Sequence, residues 1–158
     1  MDNRAKPSQD TSRDAHRASS FCVFERLRSA GLRPTRQRVA LCNLIFGAGD
    51  RHLSAEELHD EAHRAGEPVS LATVYNTLHQ FTDAGLVRPL SAEGQRTYFD
   101  TNTSDHFHFF VESDNTMIDI PDGAISVENI PAPPEGMEIV NIDVVVRVRR
   151  KREKTSLS

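Results

Sequence analysis

Only two cysteines occur in the 158 residues, Cys22 and Cys42, and they form no CxxC pair. That excludes a disulfide framework and a metal site built from thiolates alone, and it predicts a protein of the reducing cytoplasm. No apolar run approaches the roughly 20 residues a membrane helix needs. The first residues hold no apolar stretch of the signal-peptide kind, so no membrane partner is expected. Hydrophobic residues make up 37% of the chain, enough for a modest core. Basic residues are missing from a long segment: Thr97 to Val146 has no lysine or arginine, against ten acids. The opposite holds between Arg26 and Arg38, where five arginines stand without an acid, and from Arg147 to Lys154, with six basic residues and one acid. A formal net charge of −4 hides this division. It predicts a basic surface on the N-terminal part and an acidic C-terminal part.

The stretch Ser70–Gly85 organises what is present. Ser70 suits a helix N-cap and Gly85 the left-handed residue past the C-terminus. Leu71, Val74, Leu78 and Phe81 recur at helical spacing and predict one apolar stripe. The other side offers Thr73, Tyr75, Asn76, Thr77 and Gln80, hydrogen-bonding groups and one aromatic without charge. Such a face suits the base edges of a DNA major groove, although a solvated outer face has the same composition.

The neighbouring segments support the first reading. Residues 1–20 are polar and aperiodic and predict a disordered tail. Phe21 to Ala30 predicts a helix with Val23, Phe24 and Leu27 inward. Thr35 caps a second helix whose core face is Val39, Cys42, Ile45 and Phe46. Ser54-Ala-Glu-Glu57 is a capping box that opens a third helix, with Ala55, Leu58 and Ala62 inward. Residues 86–90 and 95–99 read as two strands joined by the turn 91–94. Helices followed by a hairpin predict a winged helix-turn-helix over residues 21–99, with Ser70–Gly85 as the recognition helix.

Residues 100–150 differ in kind. His106–Glu112 and Thr116–Ile120 alternate as strands around a turn at 113–115, and Ile139–Arg149 alternates with Val140, Ile142, Val144, Val146 and Val148 on one face. So small a sheet is not stable alone, which predicts pairing with a second copy, a homodimer presenting two recognition helices. The alternative is packing on the N-terminal domain. The fold class is α+β: a winged-helix domain, a small C-terminal α/β dimerisation domain at 100–150, and a basic tail at 151–158.

His106 and His108 lie two apart on a strand and face the same way. If the turn closes the hairpin, Asp119 stands opposite His108, and Asp100 arrives from the end of the wing. Imidazoles with carboxylates and no thiolate suit Fe²⁺, Mn²⁺ or Zn²⁺ over Cu⁺. His52 is a fifth candidate ligand if the two domains approach. The plain alternative is a pair of surface histidines with solvated aspartates. A His, His, Asp facial triad would serve a metal-dependent hydrolase or oxygenase, but no general base stands outside the ligands, so no enzyme is expected.

Gly31-Leu-Arg-Pro-Thr-Arg-Gln-Arg38, His52-Leu-Ser-Ala-Glu-Glu-Leu58, Leu71-Ala-Thr-Val-Tyr75 and Tyr98-Phe-Asp100 together resemble the ferric uptake regulator (Fur) superfamily, over about Phe21 to Arg149. Val69–Leu78, Tyr98–Asn102 and Asp105–Phe110 look closest to its iron response regulator (Irr) branch. The resemblance implies a dimeric repressor or activator with a metal at the hinge between domains, held by His52, Asp100, His106, His108 and Asp119. It implies that Tyr75 meets thymine methyls, that Asn76 stands where many relatives place a DNA-contacting arginine, and that Arg28 makes a minor-groove or backbone contact. With the helix come Thr73 as a DNA contact and Arg36 as a phosphate contact. The zinc CxxC positions of relatives are Val111 and Asp114 here, so no structural zinc is expected. Cys22 lacks a following proline, which removes one haem motif of the branch, and the three-histidine run reads His106-Phe107-His108, leaving His106 and His108 as the haem candidates. The implied function is iron-responsive control of operators. A peroxide- or manganese-sensing repressor with the same ligands is the alternative.

Overall fold

The computed structural model describes residues 22–91 and 96–151. The expected N-terminal tail, most of the turn at 91–94 and most of the basic tail lie outside these residues. The chain falls into two compact units, one of residues up to Ser91 with Arg96–Thr103, the other from Ser104 onward.

The first unit has four helices: α1 over residues 22–29, α2 Arg36–Phe46, α3 Ala55–Arg64 and α4 Leu71–Asp83. Their ends are set by local chemistry. The Thr35 hydroxyl accepts from Arg38 N at 3.3 Å. Ser54 and Glu57 close the capping box in both directions, at 2.7 and 3.2 Å. Ser70 Oγ accepts from Thr73 N at 3.1 Å. Each such cap contributes about 1 kcal/mol. α4 ends in a Schellman motif: Gly85 N donates to Thr82 O, Leu86 N to Phe81 O, and Gly85 has φ +72, a conformation costly for a residue with a Cβ.

Leu27, Leu41, Cys42, Ile45, Leu58, Val74, Leu78 and Phe81 are fully buried in one cluster, each stabilising by roughly 1.5–3 kcal/mol if apolar and of ordinary size. Three expectations need correction. Leu71 is 37% exposed, because the buried arc of α4 runs through Val74, Thr77, Leu78 and Phe81 and the first turn reaches past it. Thr77, expected on the outer face, is buried at 5% as part of that arc. Leu41, adjacent to the expected stripe of α2, is fully buried.

A three-stranded antiparallel sheet, order β1-β3-β2, completes this unit: β1 His52–Ser54, β2 Arg88–Ser91 and β3 Thr97–Asp100. The two wing strands lie one to two residues later than the sequence expectation. β1 was not expected at all, since three residues are too short to show alternation.

The second unit carries a sheet of order β5-β4-β6, from β4 His108–Val111, β5 Thr116–Asp119 and β6 Val145–Val148. β4 pairs antiparallel with β5 through the expected turn, where Asn115 takes φ 49, and parallel with β6. The last strand is much shorter than the alternation of 139–149 implies. β6 can be no longer than the four residues of β4 that it pairs with, from His108↔Val145 to Val111↔Val148. Val140 is consequently 89% exposed. His106 precedes β4 rather than lying in it. No helix among the described residues is long and apolar enough to cross a membrane.

Phe81→Ala is expected to cost about 3–5 kcal/mol in urea unfolding, and Leu71→Ala less than about 0.5 kcal/mol. Burial raises the Cys42 thiol from 9.0 to about 11, with Arg26 opposing. The folded state therefore holds this proton more tightly, a contribution complete below pH 9 and lost as pH rises through about 11. A thiol reagent at pH 8 is expected to modify exposed Cys22 rapidly and Cys42 only on unfolding.

Candidate functional site

In the first unit the β1–β3 ladder sets His52 opposite Asp100. His52 Nε2 lies 3.1 Å from Asp100 Oδ2. Asp100 is 1% exposed, and its Oδ1 accepts from Asn102 N at 2.8 Å. The ladder continues one step through Arg51, whose N donates to Thr101 Oγ1 at 2.8 Å and whose carbonyl accepts from Thr101 N at 3.1 Å. The Arg51 guanidinium grips the Glu61 carboxylate with two bonds, tying this corner to α3. The sequence set His52 apart from Asp100, to be joined by domain approach; the structure instead makes them neighbours in one sheet, because β1 brings His52 to the end of β3.

In the second unit His108 and Asp119 are register partners. Asp119 Oδ1 lies 3.1 Å from His106 Nε2 and 3.4 Å from His108 Nε2. The two imidazole centroids are 4.4 Å apart. Both histidines are buried, at 8% and 2%, whereas the Asp119 side chain is 45% exposed. Ser104 O lies 2.7 Å from His106 Nδ1 and accepts its proton. In that tautomer Nε2 presents a lone pair toward a carboxylate oxygen, two acceptors that a shared proton or a cation must reconcile. Each of the three residues offers a ligand atom within 4.8 Å of the others. Two imidazole nitrogens and a carboxylate, with Nδ1 of one ring held by a carbonyl, fit a divalent metal of the Fe²⁺, Mn²⁺, Zn²⁺ group.

The outer face of α4 carries Asn76, His79 and Gln80 exposed and Thr73 and Tyr75 half-buried. No acid lies in the first turn of α4. Thr73 Oγ1 shares a 2.9 Å hydrogen bond with Ser70 Oγ. The Tyr75 hydroxyl donates to Glu56 Oε1 on α3 at 2.7 Å. That bond lowers the Glu56 pKa and raises that of Tyr75. Arg36 is exposed at the start of α2, and Arg28 is exposed, 3.9 Å from Glu25 and beside the Phe24 ring. Arg38 Nε donates to Gln80 Oε1 at 3.0 Å and its Nη1 to Arg33 O at 2.9 Å, so α2 and α4 are pinned together. Sequence reasoning missed Glu56 and Arg38 as partners of the α4 face. Glu56 reads there only as a first-turn acid of α3, and nothing in the chain links it to a tyrosine 19 residues on.

At the two positions expected to replace a zinc CxxC, Asp114 Oδ2 accepts from Arg150 Nη2 at 2.6 Å, and Val111 pairs within the sheet. The Arg150 guanidinium and Ser113 hydroxyl hold the Asp114 carboxyl below its usual range.

Asp100→Ala removes the partner of His52 Nε2 and of Asn102 N from a buried position. It is expected to destabilise the metal-free protein by about 1–3 kcal/mol, and Asp119→Ala by less because its carboxylate is partly hydrated. Urea titrations of the chelated protein check both.

The ferric uptake regulator family model matches residues 29–147. The ferric uptake regulation protein of Pseudomonas aeruginosa is 36% identical over 128 residues, covering 80% of this chain and 96% of that protein. The protein of the same name from Escherichia coli K12 is 32% identical over 117 residues, 73% of this chain and 79% of its own length. Among solved structures, the Pseudomonas aeruginosa regulator with manganese superposes with a TM-score of 0.63 at 32% identity, over 82% of this chain and 98% of that one. The Vibrio cholerae ferric uptake regulator gives 0.65 at 27% identity, over 80% and 98%. With the winged-helix order of elements, the paired His–Asp sets and these matches in agreement, the chain belongs to the ferric uptake regulator family.

Proposed function

We propose that this protein is an iron-responsive regulator of the Irr type, acting as a homodimer on iron-control operators. As a member of its family it is a metal-responsive transcription regulator, not an enzyme. The observation that supports a metal-responsive switch is that each unit holds imidazole and carboxylate donors side by side, at the ends of β3 and β4. His52 and Asp100 are held on one unit, His106, His108 and Asp119 on the other, and only five residues separate Asp100 from His106. Six Cα steps span at most about 20 Å, so the linker itself does not forbid a shared ion.

A bound Fe²⁺ or Mn²⁺, or Zn²⁺ in vitro, supplies a divalent charge that imidazole nitrogens and carboxylates can share. The chain's own residues do the rest. Ser104 O keeps the His106 lone pair on Nε2. The β4–β5 register presents His108 with Asp119. The β1–β3 register presents His52 with Asp100. Joining the half-sets holds the angle between the units, and in a dimer that angle sets the spacing of two α4 helices. The exposed Ile118, Ile130, Met137, Ile139 and Val140 of the second unit support burial against a second copy. On DNA, Tyr75, Asn76 and Thr73 read base edges, and Arg28 and Arg36 contact phosphates.

The Irr reading rests on Val69–Leu78 and Asp105–Phe110 and on a second unit without cysteine, hence without a thiolate zinc site. A cytoplasmic location follows from operator binding. Haem at His106 or His108 would compete with Asp119, whose Oδ1 lies 3.1 and 3.4 Å from the two Nε2 atoms. Metal alone is the signal these residues favour. A manganese- or peroxide-responsive repressor is the second reading, since three imidazoles and two carboxylates suit Mn²⁺ as well as Fe²⁺.

Operator binding by the purified protein in apo, Mn²⁺, Fe²⁺ and haem conditions tests the proposal; indifference to all of them would remove the site from the mechanism. His106→Ala and His108→Ala are expected to weaken metal binding by more than the roughly 10–100-fold that second-shell changes cost, without dissociating the dimer. His52→Ala is expected to share that loss; unchanged affinity would confine the site to the second unit. Tyr75→Ala is expected to cost about 1–3 kcal/mol at the preferred site. Arg36→Ala is expected to weaken all sequences alike and lower the salt slope by about one.

A further inference from the structure

Tyr75 is the one aromatic on the α4 reading face, and its hydroxyl is already spent. It donates to Glu56 Oε1 at 2.7 Å, from one helix of the helix-turn-helix pair to the other. Glu56 Oε2 is buried and has no hydrogen-bond partner, the single side-chain oxygen or nitrogen in that state among the described residues. The Arg96 guanidinium, which precedes β3, stands close enough to lower the Glu56 pKa, behind the larger effect of the Tyr75 hydrogen bond. Two elements thus meet at one carboxylate: the recognition helix and the helix before it.

We infer that Glu56 is a specificity-determining residue: by accepting the Tyr75 phenol proton it keeps the hydroxyl from donating to the bases and leaves the ring to read them. The inference rests on α4 being the reader. A free phenol donates to any acceptor within reach, whether guanine N7, thymine O4 or a phosphate oxygen, and so discriminates poorly. A phenol whose proton is engaged offers the groove its ring edge, which suits a thymine methyl, and has no proton left to donate to guanine N7, thymine O4 or a phosphate. The carboxylate also repels phosphate, which lowers affinity for all sequences alike. The α3–α4 bond is therefore part of the reading head, although Glu56 need not touch DNA.

The test uses the full-length, Mn²⁺-loaded protein. Duplexes selected by the wild type from a random pool are compared with shuffled duplexes of the same composition. Glu56→Ala is expected to lower the selected-to-shuffled affinity ratio by about fivefold or more. Glu56→Gln, whose carbonyl can still accept the phenol proton, is expected to keep most of the ratio while gaining affinity for both pools. Tyr75→Phe, which keeps the ring and loses the hydroxyl, is expected to stay near the wild-type ratio. The tyrosine resonances report the bond directly: Tyr75 ionisation is expected to move down toward the ordinary value in Glu56→Ala and less in Glu56→Gln. Equal ratios for Glu56→Ala and Glu56→Gln would reduce Glu56 to its charge and overturn the inference. So would a fall in the ratio for Tyr75→Phe, because the hydroxyl would then be the reader. Should Glu56→Ala melt early, the Gln and Phe variants decide. Tyr75→Ala separates the two levels: an unchanged ratio there defeats the α4 reading itself, whereas a fall in Tyr75→Ala with none in Glu56→Ala defeats only the role of Glu56.

Discussion

The pairing of β1 with β3 is the contact on which the first unit depends. β3 is the central strand of its sheet, so its register sets both edges. The same three-residue ladder places His52 against Asp100 at one end and Ser54 at the other. Ser54 is also the N-cap of α3, and α3 packs on α4. A slip of one residue would turn Leu53 out of the core and His52 away from Asp100, since strand side chains alternate. Ligand placement and recognition-helix placement therefore share a single register.

The buried polar groups of the two His–Asp sets are placed with their partners. The buried Asp100 carboxylate accepts from Asn102 N and faces His52; the buried His106 ring is held by Ser104 O. These bonds orient the side chains and select which ring nitrogen is available, as a metal site requires before any ion arrives. The carbonyl of Ser104 decides this for His106 from only two residues away, so the geometry survives small movements elsewhere in the second unit.

In the proposed DNA-bound form, affinity and discrimination are divided between different parts of the surface. The arginines between Arg26 and Arg38 supply positive charge, which favours every sequence equally. The α4 face has amides, hydroxyls and an aromatic without charge, which favour some base pairs over others. Arg38 joins the two regions by bonding Gln80, and Glu56 joins α3 to α4 through Tyr75. The bonds that orient the readers are thus contributed by helices outside the groove.

The sequence by itself determined the helices and their ends, because capping boxes, left-handed glycines and 3.6-residue stripes are local and act within a few residues. It determined the charge division and the absence of thiolate ligands for the same reason, composition being independent of folding. It also indicated that Asp119 would meet His108, since a tight turn at 113–115 leaves a hairpin little freedom of register. Tertiary structure alone decided what depended on distant partners. β1 has too few residues to announce itself and exists because β3 is there to pair with. The alternation from Ile139 to Arg149 is strand only where β4 runs alongside it. Leu71 and Thr77 exchanged places relative to expectation because the width of a buried arc is set by what packs on it. Glu56 and Tyr75 are 19 residues apart, and only the crossing of α3 and α4 makes them neighbours: a hydrogen bond depends on a position in space that the order of residues does not specify.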